Sequence, residues 1–513
     1  LNAWLDGMNP FGYHLFNLTF HMFNSMMIYF ITLNALRYFH FSGNPFRRKE
    51  MGYIALVVSL FFLCHPIQTE SVVYIVSRSE VLSATCYLGA FLVFQICFDR
   101  DRRPSILFRF LIAPLMILGA LYFGFSVKQS VITLPMMLLL YYLCGRTQDS
   151  LSIRFLKRWR YPLAVAAGVG LILLLRKLLT DEQFLIGPSN AGEIIGRKTY
   201  ILTQPSVVMF YYLKLLMWPV NLNIDPGIQF VRDWYSSGFL LGFVAFIFSV
   251  ILAYRVRGSR LYFFFVCWYF IVLSPSSSII TLLDMAAEHR VYLATYGFFI
   301  ILAVGVYHLI KISGIKSKGI FGAAMLAGIT VLLCLMSVQR NSIWTNELSL
   351  WHDTLKKSPK KVRPYINLGR AYHLAKNPDK AIYYYEESVK KDPSYFQTHY
   401  NLGDLYAQKG DTERALAHLH YAARLAPRIP EIFSRLGEIY MSQKNYPLAD
   451  QYLKKAVELN PRFSEAFRNL GIVHYYYLQN KKEALTYFAQ SLTLDPDQPG
   501  ADQLRMILNT PAQ

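Results

Sequence analysis

The stretch LGRAYHLAKNPDKAIYYYEESVKKDPSYFQTHYNLG, residues 368–403, opens and closes on the same Leu-Gly pair, 34 residues apart. The pair returns at Leu436-Gly437 and Leu470-Gly471, at the same step. Other positions keep the beat: Tyr372, Tyr406 and Tyr440; Ala381, Ala415 and Ala449; Pro393, Pro427 and Pro461. In the last unit, Ala484 and Pro496 come one residue late. A repeat of this length is one pair of helices. Gly and Ala let paired helices approach closely, the ring fills the groove between them, and Pro ends the second helix. Residues 500–509 read as a capping helix over the last apolar face. This α-solenoid occupies residues 362–513.

Upstream the chemistry changes. The chain is 54% hydrophobic, and its apolar residues are concentrated in the first two thirds. Apolar runs of roughly 15–25 residues are long enough to cross a bilayer. Ten spans are predicted, near 11–38, 51–64, 80–98, 106–125, 129–143, 161–179, 238–254, 261–273, 291–310 and 319–338. The fold class is therefore all-α: a polytopic transmembrane helix bundle over 1–338, a junction over 339–361, then the solenoid. The net charge of +20 does not mean nucleic acid. Its Lys and Arg sit in short clusters between apolar runs, which excludes a nucleic-acid reading in favour of membrane lipids as partners. The six cysteines, Cys64, Cys86, Cys97, Cys144, Cys267 and Cys334, lie in or beside apolar segments without metal-ligand spacing. They read as small core residues.

The basic clusters also set the topology. Arg47, Arg48 and Lys49 follow the first span; Arg100, Arg102 and Arg103 the third; Arg154, Lys157, Arg158 and Arg160 the fifth. Arg255, Arg257 and Arg260 follow the seventh, and Lys311, Lys316 and Lys318 the ninth. All share one side, which the positive-inside bias makes cytoplasmic. The solenoid and the loops 65–79, 126–128, 180–237 and 274–290 then face outside. The start of the chain also falls outside, which predicts at least one span ahead of Leu1. The apolar stretch 199–219 is read as a surface or re-entrant helix, because a span there would break the alternation.

Those outer loops carry ionisable groups at the membrane edge, where burial is costly and such groups pair or act. His65, Glu70, Arg78 and Glu80 lie on the first loop and Lys128 on the second. Asp225 lies on the third, and Asp284, Glu288, Arg290 and Tyr292 on the last. If the last segment is helical, Asp284, Glu288 and Tyr292 share one face. Taken singly, each residue reads as a helix-end anchor. Taken together, cations at a membrane surface suit a lipid phosphate and a neighbouring carboxylate suits a general base.

Five stretches carry a resemblance: HPIQTESVVYIVSRSEVL (65–82), SVKQSVITLPMMLLLYYL (126–143), ILTQPSVVMFYYLKLLMWPVNLNID (201–225), AAEHRVYLATYGFFI (286–300) and QRNSIWTNELSLWHDTLKKSPKKVRPYINLG (339–369). In this order they resemble the transmembrane and tetratricopeptide-repeat O-mannosyltransferases, glycosyltransferases of the GT-C superfamily that use lipid-linked sugars. The resemblance implies transfer of a mannose-like hexose from a polyprenyl-phosphate donor to Ser or Thr of a protein acceptor, on the outer face. It implies that the repeats present the acceptor. Arg78, Lys128 and Arg290 would hold the donor phosphate. Glu288, Asp284 and Glu80 would do acid–base or orienting work, with His65, Glu70, Tyr292 and Asp225 in support.

Such enzymes usually carry the key acid in the first outer loop, which would precede Leu1, so the main acid is expected upstream. Where the family commonly has Lys-Glu, this chain has Lys128-Gln129. No cofactor is required by the sequence, and a divalent cation is left open. Asp99-Arg100-Asp101 looks like a metal-binding Asp-x-Asp but falls on the cytoplasmic side, as a solvated loop. The sequon Asn17-Leu18-Thr19 lies inside a span. The lack of other sequons and of outer-loop cysteine points to a bacterial inner membrane with the repeats in the periplasm; the alternative is an ER membrane with the repeats in the lumen. Two rival functions stand beside the transferase. One is a non-enzymatic membrane scaffold for envelope proteins, and the other a polyprenyl-linked glycan ligase or polymerase.

Overall fold

The computed structural model describes residues 10–40, 46–98, 104–145, 196–255, 260–277, 281–282, 284–313 and 317–509. Among the described residues every regular element is helical. The chain forms two compact units, Leu1–Ser358 and Pro359–Gln513.

In the first unit, nine of the ten expected spans fall on helices. These are α1 (Pro10–His40), α2 (Arg48–Cys64), α4 (Arg78–Phe98), α5 (Ala113–Val127), α6 (Leu134–Gly145), α9 (Ser237–Arg255), α10 (Arg260–Leu273), α11 (Thr295–Ile312) and α12 (Lys318–Ile343). The short α3 (Thr69–Val73) follows α2, and α7 (Arg197–Ser206) continues through a π turn, Val207–Tyr212, into α8 (Leu213–Met217). The span at 161–179 lies outside the described residues. So do Asp99 to Arg103, Arg154, Lys157, Arg158, Arg160, Arg257 and Lys316. Four described helices are long and apolar enough to cross a membrane: Ile75–Phe98, Phe108–Val127, Thr295–Ile312 and Lys318–Ile343. Arg48–Cys64 with Pro66–Val73, bent by 48°, makes a fifth if counted as one span. Three more, Gln129–Cys144, Ser237–Ala253 and Arg260–Ser276, are apolar but short.

Helix α1 has the length of a span but a polar stripe along it. Asn17, His21 and Asn24 stand at helical spacing on one face and are buried. Each has a partner across the bundle: Asn17 donates to the Val72 carbonyl (3.0 Å), His21 meets the Tyr292 hydroxyl (2.8 Å), and Asn24 donates to the Val81 carbonyl (3.0 Å). Thr32 donates to the Tyr296 hydroxyl at 3.1 Å, deeper in the bundle. Buried polar groups need such partners, so α1 is pinned against α2, α4 and the start of α11. Asn17, the sequon residue, is one of these buried groups. Large rings fill the rest of the core, with Trp268 edge-on to Tyr87, Phe91 and Tyr296.

The second unit is the solenoid. Its helix pairs are α14 (Arg363–Leu374) with α15 (Pro378–Lys391), α16 (Phe396–Gln408) with α17 (Thr412–Leu425), α18 (Pro430–Ser442) with α19 (Tyr446–Leu459), and α20 (Ser464–Ile472) with α21 (Lys481–Leu494). The helix α13 (Glu347–Lys357) precedes them in the first unit, and α22 (Ala501–Asn509) closes the array, packing Leu504 with Ala484 and Phe488. The glycine of each pair sits against a side chain of the second helix. A Cβ on Gly369, Gly403, Gly437 or Gly471 would meet Tyr385, Leu419, Leu453 or Phe488 at 2.4–2.6 Å. Each turn reuses one device: a residue in the left-handed region (Lys376, Gly410, Lys444, Gln479), then an N-cap (Asn377, Asp411, Asn445, Asn480) whose side chain accepts a backbone N–H. The fourth unit's extra residue is taken up by a π turn, Val473–Tyr477, the form that a single insertion into a helix takes. The Tyr runs at 383–385 and 475–477 are not uniformly buried. Tyr385 is buried, but Tyr383, Tyr476 and Tyr477 are exposed, because successive helical residues point about 100° apart.

Gly297 on α11 faces α10 so closely that a Cβ would stand 2.7 Å from the Phe265 carbonyl oxygen and 3.2 Å from the Tyr269 nitrogen. Backbone cannot yield as a side chain can. Gly297→Ala should destabilise the first unit by about 1–3 kcal/mol. Gly328→Ala, with open space around it, should gain up to about 1 kcal/mol from helix propensity. Thermal unfolding of the full chain in detergent checks this; equal melting of the two variants would refute it.

Candidate functional site

The residues singled out in the outer loops come from four separate stretches, and most of them meet at one end of the bundle. The chain leaves α2 at His65, whose Nδ1 accepts from the Ile67 N–H (3.2 Å) while Nε2 donates to the Leu216 carbonyl (3.3 Å). That pattern fixes a neutral tautomer, and burial pushes its pKa down to about 4. His65 therefore caps and braces. One turn on, Glu70 on α3 is 2% exposed. It accepts from His289, from Nδ1 at 2.6 Å and from the backbone N–H at 3.3 Å.

Glu80, in the first turn of α4, faces the same histidine from the other side, 3.9 Å from Nε2. It also pairs with Lys128 at 2.6 Å. Lys128 is delivered by the break between α5 and the 3₁₀ turn Gln129–Thr133, where the backbone is extended. The result is a chain of alternating charge capacity, Lys128–Glu80–His289–Glu70. His289 was not among the residues singled out by sequence reasoning. Its signal was its place between Glu288 and Arg290, both of which were chosen.

Arg290 lies beside this chain. Its Nη1 is 3.4 Å from the Tyr200 hydroxyl, and Asp284, Glu70 and Tyr212 lie near enough to bias its charge. Burial pushes the Tyr212 phenol up to about 12 and raises that of Tyr200, so both are neutral hydroxyl donors beside the guanidinium. Arg78 turns elsewhere: its guanidinium lies 5.4 Å from the Tyr13 ring centroid, on α1.

Glu288 occupies a second cluster, behind the first. It is fully buried. One oxygen accepts a short bond from the Asn223 N–H, and the other is 3.6 Å from Arg340 Nη2. Burial pushes its carboxyl up to about 8; Arg340 and the Asn223 N–H pull down, while Glu70 adds to the push. Asp225, two residues past Asn223, is also buried, and its N–H donates to the Asn223 side chain at 3.2 Å.

The segment 284–292 is not one helical face. A 3₁₀ turn spans Glu288–Val291, preceded by extended Ala287. Glu288 thus points to Arg340, whereas Tyr292 points into the bundle, bonded to His21 (2.8 Å) and Asn24 (3.2 Å). Tyr292 is a clamp for α1, and the 3₁₀ period is what separates the two. Among the described residues no group of three His, Cys, Asp or Glu side chains is placed to hold a metal ion.

Comparison with known proteins agrees with the resemblance. Two tetratricopeptide repeat families match, over residues 369–410 and 400–461. The chain is 25% identical over 441 residues to the Protein O-mannosyl-transferase Tmtc3 of Drosophila melanogaster, covering 75% of this chain and 46% of that one. It is 25% identical over 379 residues to the Protein O-mannosyl-transferase F38B6.6 of Caenorhabditis elegans, covering 72% and 49%. The chain spans about half the length of these relatives. Among solved structures, MamA of Desulfovibrio magneticus RS-1 is 20% identical with a TM-score of 0.28, covering 29% of this chain and 85% of that one. The chain is a tetratricopeptide-repeat membrane protein similar to the protein O-mannosyl-transferases.

A raised carboxyl pKa has a definite sign. The folded chain holds the Glu288 proton more tightly than the unfolded chain, whose carboxyl titrates near 4.5. This contribution to stability is complete below the unfolded value and is lost as pH rises through about 8. Glu288→Gln keeps the neutral shape. Its melting temperature should therefore fall less than the wild type's between about pH 5 and about pH 9. Parallel melting curves across that window would remove the assignment.

Proposed function

We propose that the protein is a GT-C-type membrane glycosyltransferase. It moves a mannose-like hexose from a polyprenyl-phosphate carrier to Ser or Thr of a protein, on the outer face, with the repeats engaging the acceptor. The observation that carries this reading is the meeting of Lys128, Arg290, His289, Glu70 and Glu80 at one end of an apolar bundle. A donor whose lipid tail lies in the bilayer brings its phosphate to that edge, where Lys128 and Arg290 are in place. Charge-assisted contacts of this kind stabilise a departing phosphate. The relatives named protein O-mannosyl-transferases point to the same sugar and acceptor class.

Exposure divides the three carboxylates among roles. Asp284, half-buried beside Arg290, is in reach of an acceptor hydroxyl and takes its proton as the oxygen attacks the anomeric carbon. Glu80 holds Lys128 toward the phosphate. Glu288, wholly enclosed, works from behind the loop that carries Arg290. His65, Glu70, Tyr292 and Asp225 hold the loops, and Arg78, turned onto the Tyr13 ring, stands apart from the donor phosphate. The bundle of about ten spans over 1–338 and the solenoid over 362–513 divide donor from acceptor. The outer face is a periplasm or an ER lumen.

The purified chain, given a polyprenyl-phosphate mannose and candidate acceptor proteins, should glycosylate Ser or Thr. Arg290→Ala and Asp284→Asn should each lower transfer about 10²–10⁴-fold with the fold kept. Unchanged transfer in both would remove the site assignment, and no transfer with any donor would favour the membrane scaffold. For sidedness, a cysteine at exposed Lys482 in a background without native cysteines should react with an impermeant thiol reagent from outside. Labelling from the cytoplasmic side alone would reverse the topology.

A further inference from the structure

The last span does not stop at the membrane edge. Helix α12 runs on to Ile343, and its final turn carries Arg340, which is only 4% exposed. A guanidinium cannot shed its charge, so a buried one must be met by anions. Arg340 stands between the Asp353 carboxylate and the Glu288 carboxyl group. Nη1 donates to Asp353 on α13 at 3.1 Å, and Nη2 stands 3.6 Å from Glu288. Asp353 in turn accepts from Lys357 at 2.6 Å. Acidic and basic groups alternate: Glu288, Arg340, Asp353, Lys357.

The far end of this chain returns to the loop where it began. Lys357 Nζ donates to the Leu222 carbonyl at 2.8 Å, and Asn223 Nδ2 donates to the Ser358 hydroxyl at 2.8 Å. The Asn223 N–H donates to Glu288. Two loops, 222–225 and 288–290, are thus closed against one segment, 340–358. The closure is incomplete at one point. Arg340 Nε and Nη2 and the facing Glu288 oxygen have no hydrogen-bond partner. A shift of a few tenths of an ångström toward Glu288 would bring Nη2 within hydrogen-bond distance.

We propose that Arg340, backed by Asp353 and Lys357, is a positioning residue of the site: it ties the Glu288 loop to the segment leaving the last span. In doing so it fixes His289 and Arg290, which follow Glu288 directly, at the membrane edge. This role rests on the transferase reading for its consequence in catalysis, but not for its geometry. The groups facing Glu288 are Arg340 from α12, Lys357 from α13, Glu70 from α3, Tyr211 from the π turn after α7, and the Asn223 N–H. Removing Arg340 leaves Glu288 facing Glu70 and a single more distant cation.

The test reads Glu288 itself. Dicyclohexylcarbodiimide modifies protonated carboxyls in apolar surroundings, and peptide mass spectrometry reports modification at Glu288 as a function of pH. In the full chain, Arg340→Met should move the pH midpoint of labelling up by about one unit or more. Arg340→Lys should keep it near the wild type's. Asp353→Asn, which leaves the guanidinium wholly to Glu288, should move it down and guards against loss of fold in Arg340→Met. Midpoints that coincide in Arg340→Met, Asp353→Asn and wild type would overturn the proposal. In transfer, Arg340→Met should lower kcat at least tenfold with little change in KM, and Arg340→Lys should recover part of it. Shifted labelling in a chain that transfers no sugar from any donor would sink the proposed function and leave Arg340's role intact. Unshifted labelling in an active enzyme would sink Arg340's role alone.

Discussion

A carboxyl group sealed from water is the constraint around which one end of the membrane unit is arranged. Glu288 has no exposed surface, and such a group must be paired, hydrogen-bonded or protonated. Its surroundings supply a backbone N–H from one loop and a guanidinium from the end of the last span. Because that guanidinium is buried too, a second carboxylate and a lysine are drawn in behind it. Residues 340–358 therefore belong physically to the membrane unit, as the division of the chain at Ser358 reflects.

A second set of polar contacts fixes the depth of the site. Asn17, His21 and Asn24 would be costly on a helix facing lipid. Here they receive partners from α3, from the ends of α2 and α4, and from Tyr292 before α11. The same contacts that satisfy α1 hold Tyr292 inward, and with it the turn that carries Glu288, His289 and Arg290. The solenoid follows a different logic. Its order comes from one short-range fit repeated, a glycine receiving the side chain of the following helix, so each unit needs only its neighbours.

The solenoid was legible in its period, in the Leu-Gly and Ala positions where paired helices meet, and in the closing helix. Its fourth unit's late Ala484 was visible too, though the π turn that absorbs it was not. In the membrane unit the helices were legible and their polarity was not. Hydropathy reads α1 as one more span, while its buried stripe makes it the polar seam of the bundle. The outer-loop charges were legible as a set. The split of Glu288 from Tyr292 was not, because a 3₁₀ turn and an α-helix share the same residues and differ only in period. His289 and Arg340 were missed for the same reason: a lone His or Arg near a span has no meaning until its partners arrive from elsewhere.

The sequence by itself determined the helical class, the repeat register, the runs able to enter a bilayer and the clustering of charge in the loops. Those follow from periodicity and hydrophobicity, which are local and read along the chain. Only the tertiary structure decided which charges meet: Lys128 with Glu80, His289 between two glutamates, Arg340 between Glu288 and Asp353. Those pairs join residues 13 to 219 positions apart. Burial turns each encounter into an obligation to neutralise charge, and no local pattern in the chain records that.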